Sequence, residues 1–206
     1  MADFQDESRS SDRTGKENGS AVVVVSGLPR SGTSLMMQML EAGGVPILTD
    51  GERACDADNP KGYYEYEPVK ALQNGDSDWL DKAEGKAVKV ISFLLRHLPQ
   101  KHRYRVVFMN RNLDEVLASQ EKMLVNRGQQ KDTGDAEMKR LYEHHFKDVI
   151  AWLDRQPNFE HVQVSYKDLI RDPATSVDKV CRLIGGTLQP EKMANVIDPS
   201  LYRNRC

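Results

Sequence analysis

Four consecutive valines, 22–25, run into a loop bounded by glycines, Gly27-Leu28-Pro29-Arg30-Ser31-Gly32. A helical pattern opens at once with Thr33-Ser34. Strand, glycine-bounded loop and helix start in that order make an anion cradle: backbone N–H groups and the positive end of a helix converge on one point. The ATP-binding version of this loop, G-x-x-x-x-G-K-[S/T], needs a lysine directly after the second glycine and a hydroxyl to hold magnesium. Thr33 stands at the lysine position, and the basic residue of the loop is Arg30. An anion is expected here, but not ATP with magnesium.

Further residues could serve the same chemistry. Arg111 closes an apolar run, and Ser119 follows eight residues later. Lys89 sits inside a strand pattern, where a lysine is costly unless it has a task. Glu65 ends a Gly-Tyr-Tyr-Glu segment, and Tyr166 stands at the end of a strand pattern over 161–165. Each has a plainer reading. Arg30 could lie on the surface, Arg111 could satisfy helix carbonyls, and Ser119 could face solvent. Tyr166 could be core, and Glu65 could be an acid favoured by the dipole of a short helix near Pro68.

The elements that must position these residues alternate. After the first strand, a helix over 32–42 buries Leu35, Met36, Met39 and Leu40 and stops at Gly43-Gly44. Short helical pieces are expected near 68–73 and 76–82, and a second strand over 86–92. A short helix then leads to Leu98-Pro99, and a third strand covers 104–109. A helix over 112–126 has Asn112 as N-cap and Glu115 as the second half of a capping box. A polar stretch, 126–134, reads as a mobile loop. A long helix over 135–155 turns Leu141, Phe146, Ile150 and Leu153 inward, with His144 and His145 on its surface. A strand over 161–165 precedes a helix over 173–184, with Asp172 as N-cap and Pro173 at its first position. A last helix starts at Pro190. This is an α/β fold, a mostly parallel sheet flanked by helices. Ligands in such sheets lie beyond the carboxyl ends of the strands, which gathers Arg30, residues 89–92 and Arg111 around one crevice.

Composition narrows the partners. The 206 residues carry a net charge of −2, so no overall basic field recruits nucleic acid. No apolar run approaches the roughly 18 residues that a membrane span requires. The N-terminus lacks the apolar stretch of a signal peptide. Cys55, Cys181 and Cys206 form no metal-ligand pattern and suit a reducing compartment. A cytoplasmic protein that uses no metal is expected. In residues 1–20, five acids face three bases, and Phe4 is the sole large apolar residue after Met1. That segment reads as a disordered tail ahead of one domain, 21–206.

Taken together, the motifs resemble those of the sulfotransferases that use 3′-phosphoadenosine 5′-phosphosulfate (PAPS), and most nearly the small bacterial members. Pro29-Arg30-Ser31-Gly32-Thr33-Ser34 is similar to that family's 5′-phosphosulfate loop. Arg111 with Ser119 resembles its 3′-phosphate site, and Tyr166-Lys167-Asp168-Leu169 followed by Asp172-Pro173 its Y-x-D-L…D-P signature. Asn59-Pro60-Lys61-Gly62-Tyr63-Tyr64-Glu65 is like a segment of bacterial members.

The resemblance implies a P-loop-like fold, PAPS as co-substrate without a metal, and in-line transfer of a sulfuryl group to a small acceptor, typically a hydroxyl. Ser31, Gly32, Thr33, Ser34 and Leu35 would hold the phosphosulfate with Arg30. Tyr166 would meet the adenine, and Arg203 and Arg205 would close on the 3′-phosphate. Lys89 would neutralise the sulfonate. The family's usual catalytic histidine position holds Ile91, which leaves Glu65 as the expected base, with Glu67 and His97 behind it. Tyr63, Tyr64, Tyr66, Trp79 and Phe93 are candidates for an acceptor pocket. The acceptor itself and the oligomeric state are not legible. Two other readings stay open: a P-loop kinase of nucleotides or small molecules, and a nucleotide-binding protein of this fold without catalysis.

Overall fold

The computed structural model describes residues 20–56, 59, 62–129 and 134–198. The expected tail (but for Ser20), Cys206, and Arg203 with Arg205 lie outside these residues. Four strands form one parallel sheet: β1 (Val22–Gly27), β2 (Ala87–Lys89), β3 (Tyr104–Asn110) and β4 (Phe159–Ser165), in the order β2-β1-β3-β4. All six residues of β1 are buried. A parallel strand covered on both faces reads as an unbroken apolar run, which is why the four valines announced it.

Successive side chains of a strand point to opposite faces, and β1 divides its valines accordingly. Val22 and Val24 join Val106, Phe108 and Val88 on one face, against three short 3-10 helices (Glu67–Asn74, Asp78–Ala83, Ser92–His97) and α3 (Asp135–Leu153). Val23 and Val25 join Val107, Met109 and Val164 on the other, against α1 (Thr33–Ala42), α4 (Tyr166–Arg171), α5 (Pro173–Ile184) and α6 (Pro190–Asn195). Each fully buried valine is worth about 1.5–3 kcal/mol, so this strand anchors both cores. A third cluster packs Leu28 with Val116 and Leu117 of α2 (Leu113–Asn126) and Tyr142 of α3.

Register fixes where the site can be. Val25 lies beside Lys89, Gly27 beside Met109, and Asn110 beside Ser165. The carboxyl ends of all four strands therefore line one edge of the sheet. The chain leaves β1 toward β2 and then returns to β3 on the opposite side, which opens a crevice over β1 and β3.

Four details differ from expectation. The second strand is shorter: only Ala87–Lys89 pair, and Val90 makes one more bond, to the carbonyl of Val25 at 3.0 Å. Helix α4, which follows β4 without a loop, had no counterpart in the reading; Ser165 caps it, accepting from the Asp168 N–H at 3.2 Å. On α3, Leu141 is exposed and its neighbour Tyr142 is buried, because Tyr142 reaches Leu28 and Val116 and exchanges hydrogen bonds with Gln120 of α2. His145 is half-buried rather than superficial: its ring stacks on Phe93 at 3.9 Å and its Nε2 meets the buried Ser92 hydroxyl at 2.9 Å. Burial lowers its pKa from the ordinary histidine value.

Candidate active site

The loop after β1 turns tightly. Ser31 N–H bonds the Leu28 carbonyl at 3.2 Å, and Arg30 sits in the left-handed region with φ 68°. Gly32, with φ 100°, starts α1 without a side-chain cap. A Cβ on Gly32 would stand 2.4 Å from the Tyr166 ring, so both the backbone angle and the space demand glycine. The first i→i−4 bond of the helix runs from Met36 N to Gly32 O. The N–H groups of Gly32, Thr33, Ser34 and Leu35 thus precede the ladder and point off its positive end. No acidic residue occupies the first turn to compete for an anion there.

These N–H groups border a cleft of about 490 Å³. Arg30, Gly32, Thr33, Ser34, Leu35, Glu65, Lys89, Arg111, Ser119 and Tyr166 all line it. Ser31 does not. Its hydroxyl is buried behind the loop with no hydrogen-bond partner among the described residues, beside a separate cavity of about 120 Å³. Val90 and Ser92 are buried outside the cleft, so of residues 89–92 only Lys89 and Ile91 reach it.

On the α2 side, Arg30 Nε donates to the Ser119 hydroxyl at 3.0 Å, and Ser119 is buried rather than solvent-facing. Arg111 is held from several sides. Its Nε donates to Glu115 Oε2 at 2.8 Å, its NH1 donates to the Arg30 carbonyl at 3.2 Å, and its guanidinium lies 4.6 Å from the centre of the Tyr166 ring. Glu115 therefore does not complete a capping box. Asn112 accepts from the N–H groups of Asp114 and Glu115, but the Glu115 carboxylate turns to Arg111, four residues back, because a buried guanidinium is the stronger partner. Tyr166 thus meets Gly32 of the loop and the Arg111 face at once, and burial raises its hydroxyl pKa.

On the β2 side, Lys89 Nζ donates to the Tyr63 carbonyl at 2.7 Å, lies 3.5 Å from the Ser34 hydroxyl and 3.8 Å from Glu65 Oε1. Burial pulls its pKa down to about 8, and Glu65 partly offsets this. The Ser34 hydroxyl also donates to the Tyr63 carbonyl at 3.3 Å and accepts from Asn59 Nδ2 at 2.9 Å. Glu65 Oε1 takes Arg53 NH1 at 2.6 Å.

Of the aromatic candidates, Tyr63 and Tyr66 line the cleft, with Val69, Ile91, Leu94 and Met123. Tyr64 turns away to Glu41, Trp79 belongs to the core, and Phe93 stacks on His145. Glu67 does not line the cleft but pairs with Lys70, which does, and His97 does not reach it. Sequence reasoning missed Arg53, Lys122 and Arg127, all of which line the cleft. Lys122 and Met123 continue the Ser119 face of α2 at helical spacing, a signal that was available. Arg53 lies in an irregular segment with no periodicity to mark it.

The fold and the cleft define a P-loop-like α/β protein whose loop after β1 lacks the ATP lysine. A sequence model of the sulfotransferase domain family matches residues 21–204, and the chain belongs to that family. Guinea pig (Cavia porcellus) 3-alpha-hydroxysteroid sulfotransferase is 32% identical over 63 residues, which is 31% of this chain and 22% of that protein. The matched stretch is therefore about a fifth of the length of that relative. Among solved structures, the sulfotransferase domain of the Synechococcus PCC 7002 olefin synthase superposes with a TM-score of 0.56 at 15% identity, covering 93% of this chain and 90% of that one. A sulfotransferase of Mycobacterium tuberculosis H37Rv gives 0.56 at 18% identity, covering 86% and 70%. At these identities the structures speak for the shared fold.

Proposed function

We propose that this protein transfers a sulfuryl group from PAPS to the hydroxyl of a small acceptor. The observation that carries the reading is the convergence of a lysine-free N–H cradle, Arg30, Lys89 and Arg111 on one cleft. These groups fit a ligand with two separate anionic ends. The cradle and Lys89 suit a phosphosulfate, and the Arg111 fork with Ser119 suits a second phosphate beyond it. Tyr166, fixed between Gly32 and Arg111, offers a face for the base.

The bound donor supplies an activated sulfuryl group. Arg30 and Lys89 neutralise the charge that gathers on the leaving phosphate as its bond to sulfur breaks and the bond from the acceptor oxygen forms. Glu65 takes the acceptor's proton. Its Oε1 is occupied by Arg53, and its Oε2 makes no hydrogen bond or ion pair among the described residues. Ile91, Leu94, Tyr66 and Val69 offer an apolar wall beside it, which suits an alcohol or phenol on an apolar body. Loose transfers of this kind depend mainly on positioning and electrostatics.

The test is calorimetric titration with 3′-phosphoadenosine 5′-phosphate and with adenosine 5′-phosphate. The 3′-phosphorylated nucleotide is expected to bind more tightly without magnesium, and Arg111→Ala to remove most of that advantage. Magnesium-dependent ATP binding with no preference for the 3′-phosphate would establish a kinase instead. Glu65→Gln should keep nucleotide affinity and lower turnover by about 10²; wild-type turnover would remove Glu65 as base.

A further inference from the structure

Arg53 is tied into the site more closely than its place in an irregular segment suggests. Its Cζ lies 3.3 Å from the centre of the Tyr63 ring. The Tyr63 hydroxyl is fixed in turn on both Asp56 carboxylate oxygens, at 2.7 Å each. The same guanidinium bonds Glu65 Oε1 at 2.6 Å. Lys89 Nζ approaches that oxygen only to 3.8 Å, because the Tyr63 carbonyl holds it at 2.7 Å. Two cations face one carboxylate, yet their work is divided: Arg53 takes the short contact and Lys89 stays on the donor side.

We infer that Arg53 is a positioning residue for Glu65, locking Oε1 so that Oε2 is presented to the acceptor, with Tyr63 as the platform that fixes the guanidinium. This rests on the reading of Glu65 as the base. An arginine suits the task and a lysine does not. A planar guanidinium can stack on a ring and bond a carboxylate together, whereas an ammonium on a flexible stem fixes neither. Without Arg53, the Glu65 side chain regains its rotamers and Lys89 becomes its nearest cation. The carboxylate then swings toward the donor side and away from the acceptor.

The experiment uses the full chain as wild type, Arg53→Gln, Arg53→Lys and Glu65→Gln. The Glu65 side-chain rotamer is followed by NMR with carbon-labelled glutamate, its signals assigned by their loss in Glu65→Gln. The charges facing Glu65 are Arg53 and Lys89, with Lys70 further off. Removal of Arg53 should release Glu65 from its single rotamer, seen as averaging of its side-chain carbon signals and couplings. Arg53→Lys, which keeps the charge but not the planar fork, should restore neither the single rotamer nor the turnover, measured with labelled PAPS and 2-naphthol as the acceptor probe. The affinity for 3′-phosphoadenosine 5′-phosphate should change less than twofold in both variants, which a merely structural role would not spare. A single Glu65 rotamer kept in Arg53→Gln, or full turnover in Arg53→Lys beside an impaired Arg53→Gln, overturns the role of Arg53. Full turnover in Glu65→Gln overturns the base reading instead, so the two failures are told apart.

Discussion

Glu115→Ala separates structural and ligand-binding roles at the Arg111 end of the cleft. The Arg111–Glu115 contact is 2.8 Å, between side chains only 9% and 3% exposed. Truncating one member of such a buried pair removes a short charge contact, a loss of about 3–5 kcal/mol. For a chain of this size, 1 kcal/mol moves the melting temperature by roughly 2–4 °C, so a fall of at least about 6 °C is expected. Glu115→Gln should lose less, since its amide oxygen can still accept from Nε. A ligand that brings a phosphate to Arg111 restores the missing charge. Saturating 3′-phosphoadenosine 5′-phosphate, which at a hundredfold over its Kd stabilises by about 2.7 kcal/mol, should therefore rescue Glu115→Ala more than it stabilises the wild type. Adenosine 5′-phosphate should not show this surplus. The assay is thermal melting by circular dichroism with and without each nucleotide. A fall below about 2 °C would refute the energetic argument, and equal rescue by both nucleotides would refute the placement of a phosphate at Arg111.

Three further outcomes are expected. Arg30→Ala should lower turnover by about 10² or more, the usual loss when one preorganised electrostatic donor is removed; a wild-type rate would sink its role. Gly32→Ala should destabilise by about 2 kcal/mol or more, from positive φ and overpacking against Tyr166, and abolish nucleotide binding; near-native melting would contradict the 2.4 Å contact. Lys89 titrates near pH 8, so its ammonium is present below that pH and lost above it. A polyanion favours the charged form, so nucleotide binding at pH 8–9 should take up protons and weaken as pH rises, seen by calorimetry in buffers of different ionisation enthalpy. Between about 8 and the ordinary lysine value the unfolded chain binds more protons than the folded one, so this group alone makes the fold more stable with rising pH. Lys89→Met should remove both trends, and proton uptake unchanged in that variant would assign it to another group.

β1 and β3 were legible as apolar runs, and β2 and β4 from valines set between polar residues; their parallel register then gathered Lys89, the loop, Arg111 and Tyr166 on one edge. Helix α4 escaped notice because it is six residues long and follows β4 directly, with Ser165 as both last strand residue and cap. Glu115 was misjudged since local spacing predicts a capping box, while the decision lay with a buried arginine that only the folded chain brings within reach. Leu141 and Tyr142 are adjacent, so helical periodicity alone could not say which faces inward; contact with Leu28, more than a hundred residues away, decided it. Arg53 depends on a ring ten residues on, across an irregular segment with no period to read.

Arg30 carries a tension between durability and chemistry. Its backbone lies at φ 68°, a region that costs an ordinary L-residue about 1–2 kcal/mol and glycine almost nothing. Any engineering effort that ranks substitutions by thermal robustness would be drawn to glycine at this position and would erase the loop's only cation. Screens for hardier versions of this protein therefore need position 30 held fixed, because any stability gained there comes with the loss of a cation that lines the cleft.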